Sequence, residues 1–222
     1  MIISHSRRFI LFNNPFTGSD GLCRTLEELN EEPVVAFDQR IPERPFYHHM
    51  SPREAAWTFD AMGLPFHEYE RITLIRNPFL RLPEVYTHIV NQDRLWHLRE
   101  LSGLGCPSFE TWLTRIRTDG RGGGGTSSQR WRRFGTWSVD AWCDGLISSV
   151  VDAQEATDRL PEIFGQLGVE LPVSPQETAN ARETNKVNWT ETAFELVAKS
   201  YGADCARYGY SPKHVSVSCK AA

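Results

Sequence analysis

The 222 residues carry a net charge of −4 and are 40% hydrophobic, with seven Trp and twelve Phe. That length suits one domain, or one domain with an elaborated edge, and the large apolar side chains can fill a real core. The acidic balance argues against a general nucleic-acid binder, and no apolar run approaches the roughly 20 residues that span a membrane.

Cysteines stand at 23, 106, 143, 205 and 219, with no CxxC or Cys/His spacing. An odd number without a pairing signature disfavours a disulfide framework or a structural zinc site and fits reduced thiols in a cytoplasm. The opening MIISHSRRFILF has no apolar stretch followed by a small-residue cleavage site, so it reads as a first strand and not as a signal peptide.

Phe9–Phe12 is predicted as a buried strand, Asn13–Gly21 as a tight turn, and Leu22, Thr25, Leu26 and Leu29 as one face of a helix. A strand, a glycine-bearing loop and a helix start together form an anion site; an ordinary strand–turn–helix unit reads the same way. Pro33–Phe37 is predicted as a short buried strand. Asp38–Tyr47 carries Pro42 and Pro45 without periodicity and reads as loop. Ser51 suits a helix N-cap and Pro52 the first helical position, so a helix is expected to about Met62, with Ala55, Ala56 and Phe59 inward and Gly63 as its stop.

Arg71–Ile75 is continuous and apolar, as in a parallel sheet buried on both faces, and ends abruptly in Arg76-Asn77-Pro78. Helices are expected over 83–101 and 108–117. Residues 118–129, TDGRGGGGTSSQ, cannot hold regular structure and form either a lid or a plain connection. The aromatic stretch 131–144 suggests a strand pair, 146–151 another buried strand and 154–167 a helix closed by Gly168. Thr190 caps a final helix over 191–201, a short turn follows over 204–208, and a weakly patterned tail begins at Ser211. Strands alternating with helices predict a single α/β domain, 1–222, around a central parallel sheet.

Four stretches in this order carry a more specific pattern: MIISHSRRFILFNNPFTGSDGL, YHHMSPREA, RITLIRNPFLRLPEVYTHIV and NKVNWTETAFELVAKSYGADCARYGY. Together they resemble the PAPS-dependent sulfotransferases of the bacterial and Golgi-type group. Their 5′-phosphosulfate loop has the usual form F-[IV]-x-x-P-K-T-[AG]-G-T-S-L. Their 3′-phosphate motif is V-R-[ND]-P-[YFW]-x-R-L-x-S-x-Y, and their closing helix ends in Y-x-x-D-x-x-x-[FY]-G-Y. The resemblance implies a P-loop-like sulfotransferase fold with PAPS as donor at the carboxyl ends of parallel strands, where α/β folds generally bind nucleotides. It implies transfer of a sulfuryl group to a hydroxyl or amine of a small-molecule or carbohydrate acceptor without a metal, and no nucleic-acid or membrane partner; the oligomeric state is left open.

On this resemblance Thr17, Gly18, Ser19, Asp20, Gly21 and Leu22 form the 5′ loop, with backbone N–H groups from Gly18 to Leu22 facing the donor. Arg76 matches the arginine that grips the 3′-phosphate, for which a planar fork is suited. Arg81 matches a second, structural arginine. His49 matches the general base of the Golgi-type enzymes, a group whose ordinary pKa lies near 7; a capping or packing histidine is the alternative. Lys186 is either cationic help from the C-terminal loop or a solvated lysine. Arg130, Arg132 and Arg133 around Trp131 form either an acceptor-recognition patch or a solvated face. Tyr201, Tyr208 and Tyr210 are expected in the core, and Asp204 as a buried capping or pairing residue.

Three positions depart from the family. Phe16 stands where a lysine bridges the leaving phosphate and the sulfuryl group, and loss of such a donor typically costs about 10²–10³-fold in rate. Asp20 puts a carboxylate in the loop. Glu84 replaces a phosphate-binding serine, and a like charge about 4 Å away costs up to about 4 kcal/mol at an effective dielectric of 20; Glu84 turns away or pairs with an arginine if PAPS is to bind tightly. The expectation is therefore double: an active sulfotransferase whose missing cation is replaced by Arg8, Arg24, Lys186 or an arginine of 130–133, or a non-catalytic or repurposed protein of the same fold.

Overall fold

The computed structural model describes residues 1–92, 105, 107–116, 118, 134–171 and 187–212. The chain forms two compact units, Met1–Arg76 with Trp142–Ala181, and Asn77–Ala141 with Arg182–Ala222.

The first unit is α/β. Its sheet has four strands in the order β1 (Ile2–Ser4), β2 (Phe9–Phe12), β3 (Glu70–Ile75) and β4 (Ser149–Asp152). β2, β3 and β4 are parallel neighbours, as the continuous apolar runs predict. The sheet is nonetheless mixed and not wholly parallel: β1 pairs antiparallel with β2, Ile3 opposite Ile10. A four-residue connection, His5–Arg8, closes this hairpin, with Arg8 at a left-handed φ of 52°. Glu31 holds the turn by accepting bonds from the Ser4 and Ser6 hydroxyls and the Ser6 N–H.

Side chains alternate across the sheet. Ile2, Phe9, Leu11, Ile72, Leu74 and Val151 face Leu22 and Leu26 of α1 (Ser19–Thr25) and its sequel, and Leu160 and Phe164 of α6 (Ala156–Gln166). The rings of Phe9 and Phe164 meet edge-on at 5.4 Å. Thr73 of β3 points to the other face, where its hydroxyl accepts the Trp142 indole N–H at 3.0 Å; this satisfies the only polar side chain in the run Ile72–Ile75.

α2 (Pro52–Ala61) starts where Ser51-Pro52 predicts. Its cap is a full capping box: the Ser51 hydroxyl accepts from the Glu54 N–H, and the Glu54 side chain returns to the Ser51 backbone. Phe59 on its inner face is fully buried between the rings of His5, Phe46, Phe66 and Tyr69. Gly63, at φ 68°, stops the helix. Pro33–Phe37 is not a strand. Val35 alone makes a parallel bridge to Tyr47, accepting the His48 N–H and donating to the Phe46 carbonyl. A 3-10 turn (Phe37–Gln39) then takes over.

The second unit is helical among its described residues. α3 (Pro78–Gln92) begins five residues before the expected Pro83, because Asn77-Pro78 supplies the start: the Asn77 side chain accepts the Phe79 N–H and Pro78 takes the first helical position. Pro83 lies inside the helix, where it forgoes one i→i−4 bond. α4 (Phe109–Leu113) is shorter than expected. The stretch 134–144 holds no strand pair, but a short helix, α5 (Val139–Cys143). α7 (Glu191–Ser200) is capped by Thr190 as predicted, and 202–208 forms a true helix, α8 (Gly202–Tyr208), rather than a turn.

Asp204, 2% exposed, accepts the Val139 N–H with both oxygens at 3.1 and 3.0 Å and so fixes the start of α5. Arg81, 1% exposed, donates to the Trp137 carbonyl at 2.6 Å, and the Tyr201 hydroxyl donates to the Thr136 carbonyl. These residues have the structural duties expected of them.

Phe59→Ala opens a cavity among four rings and is expected to cost about 3–5 kcal/mol in urea unfolding. Trp57→Ala on the outer face of the same helix, at 67% exposure, should stay within about 0.5 kcal/mol.

Candidate functional site

The candidate site is built at the carboxyl ends of β2 and β3. Phe12 pairs with Thr73, so β3 runs on for two residues beyond the ladder before Arg76. Asn14 extends the contact: its Nδ2 donates to the Leu74 carbonyl at 3.1 Å. The chain then folds back on itself, because the Thr17 hydroxyl donates to the Asn14 carbonyl at 2.7 Å. With its proton so used, Thr17 accepts the Ser19 hydroxyl, also at 2.7 Å. Both hydroxyls are buried and held within the loop.

This fold-back forces left-handed backbone at Phe16 (φ 62°) and at Gly18 (φ 88°). Glycine takes that conformation without cost; phenylalanine does not. Gly18 is the N-cap of α1, which no side chain caps. α1 is only seven residues long, so its start alone would be a weak anion site. The Arg76 Nη1 donates to the Phe16 carbonyl at 3.3 Å, which brings the guanidinium to the loop.

His49 reaches the same loop from the segment that Val35 ties down. Its Nδ1 lies 3.0 Å from the Asn13 carbonyl. A carbonyl only accepts, so Nδ1 carries the proton and Nε2 is the basic nitrogen. Burial is the main cause holding the His49 pKa below its ordinary value; the Asn13 bond and the Asp20 carboxylate oppose it. Burial thus favours the neutral imidazole. His48 is more exposed, and burial lowers its pKa too.

Of the predicted site residues, Thr17, Gly18, Ser19, Asp20, Gly21, Leu22, Arg76 and His49 all lie in the first unit. Contacts join Arg76 to Phe16, His49 to Asn13 and Asp20 to Asn13. Leu22 is buried in the core, so only its backbone can serve a ligand. Lys186, Arg130, Arg132 and Arg133 lie outside the described residues, as does the glycine loop beyond Thr118.

Arg8 lies before β2, at the end of the strand away from the loop, and pairs with Glu68. Arg24 is exposed in the last turn of α1. Glu84 is buried within α3 of the second unit.

Sequence reasoning missed Asn13 and Asn14. Both are buried polar residues, and in both the amide nitrogen is identified by an acceptor partner, leaving an Oδ1 with no partner among the described residues. Two adjacent asparagines directly after an apolar strand were the available signal. A cleft of about 320 Å³ also opens at the other end of the sheet, lined by Glu70, Ser148, Ser149 and Gln166, away from the predicted residues. Among the described residues no three His, Cys, Asp or Glu side chains are grouped to hold a metal ion, and no helix is long and apolar enough to cross a membrane.

Comparison of the chain with protein-family models, with curated proteins and with solved structures finds no match.

The histidines have a testable consequence. The unfolded chain binds their protons with a pKa near 6.5, the folded chain only at lower pH, so the unfolded state holds more protons in between and stability rises with pH there. The stability is full above about pH 6.5 and is lost as the pH falls toward the folded values. Urea midpoints should drop from about pH 7 to about pH 5.5, and His49→Gln should flatten the drop; an unchanged slope in that variant would contradict the assignment.

Proposed function

We propose that the chain is a PAPS-dependent sulfotransferase of P-loop-like fold, acting in the cytoplasm on a hydroxyl or amine of a small-molecule or carbohydrate acceptor. The observation that carries this reading is the meeting of Arg76, the 13–21 loop and His49 at the ends of two parallel strands. These are three separate pieces of one sequence pattern, 60 residues apart in the case of Arg76 and Phe16.

The donor would supply an activated sulfuryl group. Arg76 would hold its phosphates, with the loop N–H groups from Gly18 to Leu22. His49, neutral and with Nε2 basic, is in the state needed to take the acceptor's proton as the acceptor's lone pair attacks sulfur and the bond to the phosphate oxygen breaks. The fit is good at Arg76 and His49 and poor at Phe16, which has no charge to offer the leaving phosphate.

The second reading is a non-catalytic or repurposed protein of this fold. It is favoured by the acceptor-rich chemistry of the loop: the exposed Asp20 carboxylate and the buried Oδ1 atoms of Asn13 and Asn14, without a partner among the described residues, suit hydrogen-bond donors better than phosphate.

Calorimetric titration with 3′-phosphoadenosine 5′-phosphate decides. Micromolar binding that weakens at least about tenfold in Arg76→Ala supports the sulfotransferase reading, since a charge-assisted pair contributes about 1.5–3 kcal/mol. No binding at millimolar ligand overturns it. Phe16→Lys separates the two readings further. In a lapsed donor site the added cation raises nucleotide affinity; in a rebuilt site that uses Phe16 it lowers it.

A further inference from the structure

Phosphate binding gives Asp20 no favourable task, but the hydrogen bonds give it another. Asp20 is exposed in the first turn of α1, and its Oδ1 accepts the Asn13 Nδ2 at 2.7 Å. Asn13 is buried, and its own carbonyl accepts the His49 Nδ1–H at 3.0 Å. One residue thus carries a carboxylate on its side chain and an imidazole on its main chain. Since a carboxylate accepts and does not donate, the orientation of the Asn13 amide is fixed by Asp20.

We propose that Asp20 is a positioning residue for His49, acting through Asn13: it locks Asn13 so that His49 stays in the Nδ1–H form, and its charge favours the imidazolium that forms when Nε2 takes a proton. The logic is that of a carboxylate behind a catalytic histidine, with one asparagine residue interposed, its side chain toward the carboxylate and its main-chain carbonyl toward the imidazole. The charged groups that bear on His49 are Asp20 from α1, the Met1 amino group from the start of β1 and the neighbouring His48. The last two disfavour a second positive charge, as burial does, and Asp20 opposes all three. Arg76, from the end of β3, is engaged on the Phe16 carbonyl of the same loop. The inference rests on the proposed function only in treating His49 as a base; the coupling itself requires no nucleotide. It also reinterprets Asp20. The carboxylate that looks like damage to a phosphate loop becomes part of the histidine's support.

The test is nitrogen-detected NMR of the imidazoles in the full chain without nucleotide, with His49→Gln used to assign the His49 signals among seven histidines. In Asp20→Asn, which is exposed and isosteric, the His49 pKa should fall by about half a unit or more. Asp20→Glu should restore part of that shift. Asn13→Ala keeps the carbonyl but removes the amide, and in that background Asp20→Asn should shift His49 by less than half as much; Asn13→Ser serves if the alanine variant does not fold.

An unchanged His49 pKa in folded Asp20→Asn overturns the proposal. So does an equal shift in both backgrounds, which would mean that the charge acts through space alone. Calorimetry with 3′-phosphoadenosine 5′-phosphate keeps the two ideas apart. If the wild type does not bind it while the His49 coupling holds, the donor reading fails and this one stands. If binding is intact while the coupling is absent, the reverse is true.

Discussion

The site depends on how the chain leaves β2. Backbone pairing with β3 stops at Phe12, and the side chain of Asn14 continues it by bonding the Leu74 carbonyl. Thr17 then bonds back to Asn14, and the loop closes on itself within four residues. Each later feature follows from that closure. Phe16 is pushed into a left-handed conformation, its carbonyl turns toward Arg76, and α1 starts with Asp20 beside Asn13. The closure has a cost. Two buried amide oxygens are left without partners among the described residues, at about 1–3 kcal/mol each by general experience. The loop thus combines two of the unsatisfied buried atoms with one left-handed non-glycine residue, Phe16; Arg8 and Asp144 are left-handed elsewhere, and the Nε atoms of Arg71 and Arg81 are also unsatisfied.

The two arginines of the Arg76–Arg81 stretch show how five residues separate two kinds of role. Arg81 is 1% exposed, donates to the Trp137 carbonyl and lies over the Tyr201 ring at 5.8 Å. Its charge is enclosed by Tyr201 and Asp204, whose own ionisation it influences, and burial pushes both of their pKa values up. Removing it would leave those groups uncompensated. Arg76 sits at the strand end, half-buried, with its bond to a backbone carbonyl of the loop. The first is bound into a structural network of the second unit, whereas the second is half-buried and contacts the backbone of the loop after β2.

Local signals in the sequence were legible where one residue type has one reason to be present. Ser51-Pro52 and Thr190 announce helix starts, Gly63 a stop, and the apolar runs at 9–12 and 71–75 two parallel strands; all are found. Glu54, three residues after Ser51, completes a capping box. Asn77-Pro78 is the same kind of start as Ser51-Pro52, while Pro83 is a residue the helix accommodates. The antiparallel pairing of β1 was hidden because its turn contains neither glycine nor asparagine; Arg8 takes the left-handed position instead. Pro33–Phe37 has strand composition, but only Val35 finds a partner, so tertiary context overrides propensity. The Asp20–Asn13–His49 chain spans 7 and 36 residues in its two links, and nothing local encodes a contact that only the folded loop creates.

For the proposed sulfotransferase reading, magnitudes decide which substitution would matter more. A carboxylate about 4 Å from a phosphate costs about 1 kcal/mol in bulk water and about 4 kcal/mol at an effective dielectric of 20. Asp20 is exposed and hydrogen-bonded to Asn13, so its penalty falls toward the lower figure. A planar guanidinium such as that of Arg76 can offset it with one charge-assisted contact. Phe16 is a different matter. The lysine it replaces acts on charge that develops only as the bond to the leaving group breaks, and that contribution is absent from the ground state. On the proposed sulfotransferase reading, Asp20 would therefore weigh on affinity by a small amount, while Phe16 would weigh on rate by orders of magnitude. A donor loop of that kind would retain a nucleotide and still transfer slowly, so affinity and turnover would be separate properties, Arg76 bearing on the first and whatever cation replaced the lysine on the second.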